Sequence, residues 1–234
     1  MSLRMAGVLA ITMCLPVCGQ LVISARSGLI TDVEGWVQLG GELLVSRAGA
    51  RVEMQEGTEL RTRDGRAEVL LNPGVFLRVG ENSAVRMVSN RLADIRIEFV
   101  SGAAIIAASG RLNAKENWAS SVLIGYKEAT VRLLKNGIYR LDAEPSQLRV
   151  FAGEASVTQG GGTRGVAVGE QIALANPDVP PEFDLNETDS LSLWNQHRTE
   201  YISMTNRLAA GHRKNSASSS GVVLPHVQMP VLSH

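Results

Sequence analysis

Cysteine is scarce in this chain: its 234 residues contain two, Cys14 and Cys18. Both lie in a short apolar segment near the N-terminus, so the rest of the chain contains none. That rest can therefore form no disulfides, cysteine-based metal sites or thiol nucleophiles. A domain without these supports must be stabilised by its hydrophobic core, and on the order of 200 residues suffices to bury one.

Histidine and excess charge are scarce as well. The body of the chain has no histidine, because the four in the sequence are His197, His212, His226 and His234. A Ser-His-Asp triad or a histidine metal site therefore cannot be assembled from the body. The 23 basic and 23 acidic residues are interspersed, without the basic block that nucleic-acid binding requires. We expect a non-enzymatic protein with no cofactor, metal or nucleic acid.

One enzymatic alternative stays open, that of a glycosidase with paired carboxylates. The acidic side chains that could supply such a pair also fit the polar faces of strands and turns; they are Glu53, Glu56, Glu59, Asp64, Glu68 and Glu81.

Apolar runs long enough to span a bilayer easily are also lacking. Residues 6–18 are apolar apart from Thr12, follow the basic Arg4, and precede small residues at Gly19 and Ala25. This layout is typical of a cleaved secretory signal. We predict a signal peptide over residues 1–25, a periplasmic or secreted mature protein, and no stable membrane span after cleavage. An uncleaved anchor and a lipoprotein modified at Cys18 remain alternatives.

Short apolar runs separated by turn signals fill residues 26–176. Residues 85–88 and 95–99 alternate apolar and charged side chains, and this period of two is typical of half-buried strands. The sequence predicts an all-β body of antiparallel strands and hairpins, arranged as a sandwich or a solenoid-like stack. Six residues are predicted to shape its turns: Gly57, Gly65, Gly74, Asn82, Ser83 and Gly137.

A hairpin pattern occurs twice, over residues 67–79 and 129–141. In each copy two apolar runs flank a glycine, Gly74 or Gly137, which tolerates the positive φ of a tight hairpin turn. The likeness continues into the following strand. We therefore predict an internal repeat of a hairpin plus one strand.

The chain changes character after residue 176. The prolines of residues 177–181 predict the end of the sheet and the start of a linker. A helix is predicted to follow, capped by Thr188 or Asp189 and ending at residue 210. Its apolar stripe contains Leu191, Trp194, Tyr201 and Leu208, and Arg198 interrupts that stripe. The helix would pack on the β body or, alternatively, bind a partner. Residues 211–234 are Ser-rich and predict a disordered tail.

Arginines on the predicted strands suggest a surface for an acidic partner or a glycan. We predict that Arg78 and Arg86, together with Trp118 in the loop of residues 110–120, form the candidate binding face for an envelope protein or glycan. The alternative is a solvated sheet face on which arginines pair with glutamates across strands. Exposed strand edges also leave a homo-oligomer open.

Three segments resemble the FecR domain: Gly57-Thr-Glu-Leu-Arg-Thr62, Gly65-Arg-Ala-Glu-Val-Leu-Leu71 and residues 75–87. The resemblance covers about residues 28–206, and the chain looks most like a stand-alone exported subgroup. It implies a periplasmic β domain in which Gly57, Gly65, Asn82 and Ser83 shape turns, and it implies no catalytic residue.

FecR-family regulators relay a periplasmic signal to a cytoplasmic sigma factor through a cytoplasmic N-terminal segment and one membrane span. In this sequence the apolar segment begins at residue 6, so we expect no cytoplasmic anti-sigma segment. The expected function is binding, sensing or envelope assembly by an exported module. The alternative is a membrane-anchored regulator of envelope or iron-responsive signalling.

Overall fold

The computed structural model describes residues 27–44, 51–109, 118–174 and 182–219. The predicted signal peptide and residues 220–234 of the predicted tail lie outside these ranges. The strands are β1 Leu29–Glu34, β2 Val37–Leu39, β3 Glu42–Leu43, β4 Val52–Glu53, β5 Glu59–Thr62, β6 Arg66–Asn72, β7 Val75–Val79, β8 Ala84–Arg91, β9 Asp94–Ser101, β10 Ala103–Ala108, β11 Val122–Tyr126, β12 Ala129–Leu133, β13 Ile138–Ala143, β14 Ser146–Ala152, β15 Ala155–Gln159, β16 Gly162–Val166 and β17 Gln171–Ala173. A 3-10 helix covers Trp118–Ser121, and the α-helix α1 covers Ser190–Ser219.

The strands form two sheets, as the all-β prediction requires. The helix-side sheet has the order β17-β14-β13-β10-β7-β6-β1-β4, and the opposite sheet has the order β16-β15-β12-β11-β9-β8-β5-β2-β3. The chain passes between the sheets after every one or two strands and advances steadily along both. The body thus combines the two layers of a sandwich with the progression of a solenoid. Strand β11 runs parallel to β9, and the other paired strands are antiparallel.

The core lies between the sheets as one buried apolar cluster. It includes Val69 and Leu77 of the helix-side sheet together with Val85, Met87 and Val131 of the opposite sheet. Alternation places these side chains inward and their neighbours outward. Complete burial of such a side chain contributes about 1.5–3 kcal/mol, so this shared cluster stabilises both layers.

The predicted internal repeat is wrong in its second copy. Strands β6 and β7 pair as a hairpin through Gly74, as predicted. In the second copy, however, β12 pairs with β11 and β15, whereas β13 pairs with β10 and β14 in the other sheet. Residues 129–141 therefore cross from one layer to the other. Both copies share an apolar-turn-apolar pattern, and that pattern does not specify which strand the second run pairs with.

The predicted turn residues fall into two groups. Gly57 and Gly74 have φ of 81° and 84°, and Asn82 has φ of 50°, so these positions need the left-handed region. Gly65 and Gly137 do not have positive φ. The positive φ predicted for the turn at Gly137 is therefore wrong. A Cβ at Gly65 would lie 2.5 Å from the Glu34 carbonyl oxygen, and one at Gly137 would overlap the backbone of residue 152.

Ser83 stabilises its turn through its side chain. Its hydroxyl donates to the carbonyl of Glu81 at 2.8 Å and accepts the backbone N–H of Ala103 at 2.9 Å. These bonds join the start of β8 in one sheet to β10 in the other, so Ser83 fixes a crossing between layers.

The C-terminal helix begins where predicted and extends beyond residue 210 to Ser219. Asp189 caps it, since its Oδ1 accepts the backbone N–H of Ser192 at 2.8 Å. The stripe is buried at Leu191 and Trp194 but exposed at Tyr201 and Leu208. Among the described side chains of α1, those that pack on the body therefore lie in its first half. In the part of the chain that the structure describes, no helix has the length and apolarity needed to cross a membrane.

Candidate functional site

The outer face of the helix-side sheet carries a row of charged residues beneath the helix. Neighbouring strands pair Asp32 with Glu68, Glu68 with Arg78, Arg78 with Ile105, Ile105 with Arg140, and Arg140 with Arg149. We call these six residues, one from each of β1, β6, β7, β10, β13 and β14, the charged row. Because directly opposed residues share one face of a sheet, all six point towards α1.

Glu68 is the centre of the first half of the row. Its Oε2 accepts the Arg78 Nε–H at 2.8 Å, and its Oε1 accepts bonds from Arg198 Nη2 at 2.7 Å and from the Thr31 hydroxyl at 2.9 Å. The side chains of Glu68 and Arg78 are 0% and 1% exposed. Arg198 of the helix also lies 3.4 Å from Asp32. A carboxylate of β6 is thus shared by an arginine of the sheet and one of the helix.

Arg78 completes the connection to the helix. Its Nη1 donates to the side-chain oxygen of Asn195 and to the hydroxyl of Thr199, the latter at 3.0 Å. Asn195, Arg198 and Thr199 lie on adjacent turns of α1, so polar side chains of the helix take part in its docking.

The electrostatics of this cluster favour the ionised form of Glu68. Burial alone would raise the pKa of Glu68, but hydrogen bonds and charge from Arg198 and Arg78 more than offset this, and its pKa is lowered. Burial lowers the pKa of Arg78, and burial also raises the pKa of Asp32. A carboxylate held ionised by two arginines is poorly suited to general acid-base catalysis at neutral pH.

A second cluster forms at the other end of the row. Asp142 accepts bonds from Arg140 Nε at 2.9 Å and from Arg149 Nη2 at 3.0 Å. Arg140 also lies 2.6 Å from Asp189 at the start of the helix, and Arg149 lies 3.1 Å from Glu187. The hydrogen bond from Arg140 is the main cause of the lowered pKa of Asp189. The segment before α1 is therefore tied down by two arginines of the sheet.

An apolar contact separates the two clusters. Ile105, the uncharged member of the row, packs against Leu191 and Trp194 of the helix. The Trp194 indole N–H also donates to Glu34 Oε1 at 2.9 Å. Apolar packing, with ion pairs on both sides of it, therefore holds the first half of α1 against the helix-side sheet.

A polar groove of about 440 Å³ opens beside the second cluster, between β13, β14 and the segment leading into the helix. Its lining includes Arg140, Asp142 and Arg149, whose charges already pair with one another. Among the described residues, no cluster of three or more His, Cys, Asp or Glu side chains could hold a metal ion. The groove brings together no nucleophile with a base.

The structure separates the three residues of the predicted binding face. Arg78 is buried beneath α1, so it is not accessible to a partner, and this corrects its predicted role. Arg86 lies on the outer face of the opposite sheet and pairs with Glu59 at 2.9 Å and Glu98 at 2.8 Å. Trp118 begins the 3-10 helix, and its side chain lies outside the described residues.

The opposite sheet carries a second row on its outer face. Its members pair in succession: Glu59, Arg86, Glu98, Gly125, Thr130, Thr158 and Thr163. We call this the open row, because these residues are half-buried or exposed, in contrast to the charged row. One half is charged and the other consists of glycine and threonine, so the face changes from ionic to small and polar along the sheet.

The residues that dock the helix are not among the site residues predicted from the sequence. Glu68, Asp142 and Asn195 read as ordinary surface polar residues in the sequence. One feature of the sequence indicated this docking. Arg198 lies on the same side of the helix as Leu191 and Trp194, where an arginine is expected only if it pairs with a carboxylate.

Comparisons with known proteins give a limited result. No family model matches the chain, and no curated protein matches it. Two crystal structures from Parabacteroides distasonis ATCC 8503, both described as a "putative anti-sigma factor", are similar to it at 15% identity and a TM-score of 0.44. The match covers 54% of this chain and 60% of theirs, so the chain spans less than two thirds of their length.

Proposed function

We propose that the protein is an exported, non-enzymatic binding module of the FecR-like type, acting in sensing or envelope assembly. The observation that carries the proposal is the contrast between the two outer faces. One is sealed by a helix whose ion pairs engage the buried arginines and carboxylates, and the other presents the open row to solvent.

The open row supports binding of an extended, polar surface. Arg86 lies between Glu59 and Glu98, so its charge is balanced within the sheet. The adjoining Thr158 and Thr163 share a hydrogen bond of 2.9 Å, and with Gly125 and Thr130 they form a strip of small residues. Such a strip fits a protein strand or a glycan better than a compact small molecule, which would need a concave pocket.

The FecR-like part of the proposal rests on the segments quoted from the sequence. The positive φ of Gly57 and Asn82 and the inter-layer bonds of Ser83 agree with the turn-shaping roles that the resemblance implies. The second candidate function is a regulator anchored through residues 6–18. It shares the same β body and differs in whether the N-terminal segment is removed.

The test is a crosslinking pull-down of the tagged, natively exported full chain, with its mature N-terminus sequenced in the same sample. We expect a start at Gln20 or Arg26 and an envelope partner whose capture is lost in Arg86→Glu and Thr158→Arg. An intact N-terminus would favour the anchored regulator.

Arg51→Glu is the matched control, because Arg51 is exposed and precedes β4 of the helix-side sheet. Capture that is equally strong in all variants would contradict binding through the open row. Turnover of a glycan that is lost on Glu59→Gln or Glu98→Gln would contradict the non-enzymatic reading.

A further inference from the structure

The helix α1 carries a row of exposed side chains that includes Tyr201 and Leu208, the uncovered part of its predicted apolar stripe. Leu193, His197, Tyr201, Met204 and Leu208 follow one another at intervals of 4, 4, 3 and 4 residues and are all exposed. Because a helix turns once in 3.6 residues, these side chains lie along one side of it. We call them the helix seam. Tyr201, Met204 and Leu208 are 61%, 57% and 58% exposed, unusually high values for large apolar side chains that are aligned.

The seam is centred on a different side of the helix from the docking residues, and Tyr201 and Leu208 lie at its edge nearest to the docked Trp194. Leu191, Asn195 and Arg198 contact the helix-side sheet, and the seam is rotated away from them by roughly a third of a turn, as the 3.6-residue period requires. Docking of α1 on its own body therefore leaves the seam accessible along its length.

The described side chains of α1 beyond residue 203 have no support from the body. Residues 204–209 are exposed on every side of the helix. Most helical stability in proteins comes from tertiary packing of an amphipathic face, so the aligned apolar side chains of this stretch point to a contact with another surface.

We propose that this surface is the helix seam of a second copy of the chain, packed antiparallel. The spacing of Tyr201, Met204 and Leu208 is that of the a and d positions of a two-helix seam. In an antiparallel pair, Tyr201 would pack against the partner's Met204, and Leu208 against the partner's His197. Each contact occurs twice, as in a two-fold symmetric interface.

Charged residues beside the seam indicate both the partner and the relative direction of the two helices. Glu200 and Arg207 are exposed and flank the seam on the same side, each one residue before an a position. In the antiparallel pair, Glu200 faces the partner's Arg207 and Arg207 faces the partner's Glu200. In a parallel pair these residues would face Thr205 and His212 instead, without such complementarity.

Sedimentation equilibrium of the full chain tests the proposal. We expect a dimer, weakened about tenfold or more in Glu200→Arg and in Arg207→Glu, since each variant places like charges opposite each other twice. An equimolar mixture of these two variants should regain the wild-type affinity as a heterodimer, because every flanking pair is again opposite in charge. Leu208→Glu should abolish association.

Val168→Glu is the control, because Val168 is an apolar residue of similar exposure outside the helix; it should dimerise like the wild type. A wild type that stays monomeric at about 100 μM, where a dimer of micromolar affinity would be almost fully formed, would overturn the proposal. So would association that survives Leu208→Glu, or two charge variants that fail to recombine. Partner capture through the open row does not depend on these variants, so the two proposals can fail separately.

Discussion

At the scale of single residues, the main feature is a fully buried carboxylate that serves two arginines. Glu68 bonds to Arg78 of the sheet and to Arg198 of the helix. Replacing an entire buried ion pair by apolar residues is often neutral, whereas removing one partner leaves the other charge uncompensated. Removing Glu68 is therefore expected to cost more free energy than the net stabilisation that its ion pairs provide.

We expect Glu68→Gln to lower the free energy of unfolding by about 3–5 kcal/mol, because two buried or half-buried guanidinium groups lose their shared counter-charge. Urea denaturation measures the change. Glu98→Gln is the matched control, since its pair with Arg86 is roughly 40% exposed and pairs of that kind contribute about 0–1 kcal/mol. Equal effects of the two changes would contradict the structure of the charged row.

We expect Gly137→Val to destabilise the protein by more than about 1 kcal/mol, since its Cβ would overlap the backbone of residue 152 and force the two strands apart. Gly165→Val is the control: Gly165 does not have positive φ and has no atom within 4 Å of the added Cβ. Thermal unfolding compares the two. An unchanged midpoint for Gly137→Val would show that β13 and β14 do not approach as closely as described.

The sequence indicates some of these residue roles and not others. Gly57, Gly74 and Asn82 are predictable because tight turns have local chemistry. The burial of Glu68 is not, since its partner Arg198 lies 130 residues away along the chain. The alternation of side chains along β6 places Glu68 on the face away from the core. That face is buried only because the helix covers it.

At the scale of elements, the helix is held by contacts that depend on ionised carboxylates. The pKa values of Glu68 and Asp189 are lowered in the folded protein. Their contribution to docking is therefore complete above their unfolded pKa values of about 4 and is lost as the pH falls further. The raised pKa of Asp32 acts in the opposite direction and offsets part of this loss.

We expect the helix to become less stably docked below about pH 4, as these carboxylates take up protons on release. Fluorescence of Trp194, in a variant without the other two tryptophans, reports the docking because this indole lies between the helix and Ile105. Asp189→Asn should weaken docking at pH 7 and reduce the pH dependence. A wild-type signal that is constant from pH 7 to pH 2 would contradict ionic docking.

Most strands follow directly from the apolar runs of the sequence. The sequence signal is weakest for β3, which has two residues, and for β16, the Gly-Thr-Arg-Gly-Val segment, which has little apolar character. The layer of each strand was not predictable, because a turn signal marks a reversal without saying which sheet receives the next strand. The error in residues 129–141 has this origin.

At the scale of the whole molecule, one core cluster joins both sheets. We therefore expect a single cooperative thermal transition at neutral pH, with the same midpoint by far-UV circular dichroism and by tryptophan fluorescence. The spectrum of the folded state should be dominated by strands, with a smaller helical component. Two separated transitions, or a mainly helical spectrum, would contradict the shared core.

The charged row also affects chains that have not finished folding. Its members come from strands spread along the body, whereas Arg198, which pairs with Asp32 and Glu68, belongs to the last element, so the row is covered only after residue 198 has been synthesised. Until then the uncovered face exposes the acids and arginines of the row on either side of the apolar Ile105. An incomplete chain thus exposes less apolar surface there, and so a weaker site for aggregation, than a wholly apolar docking face would.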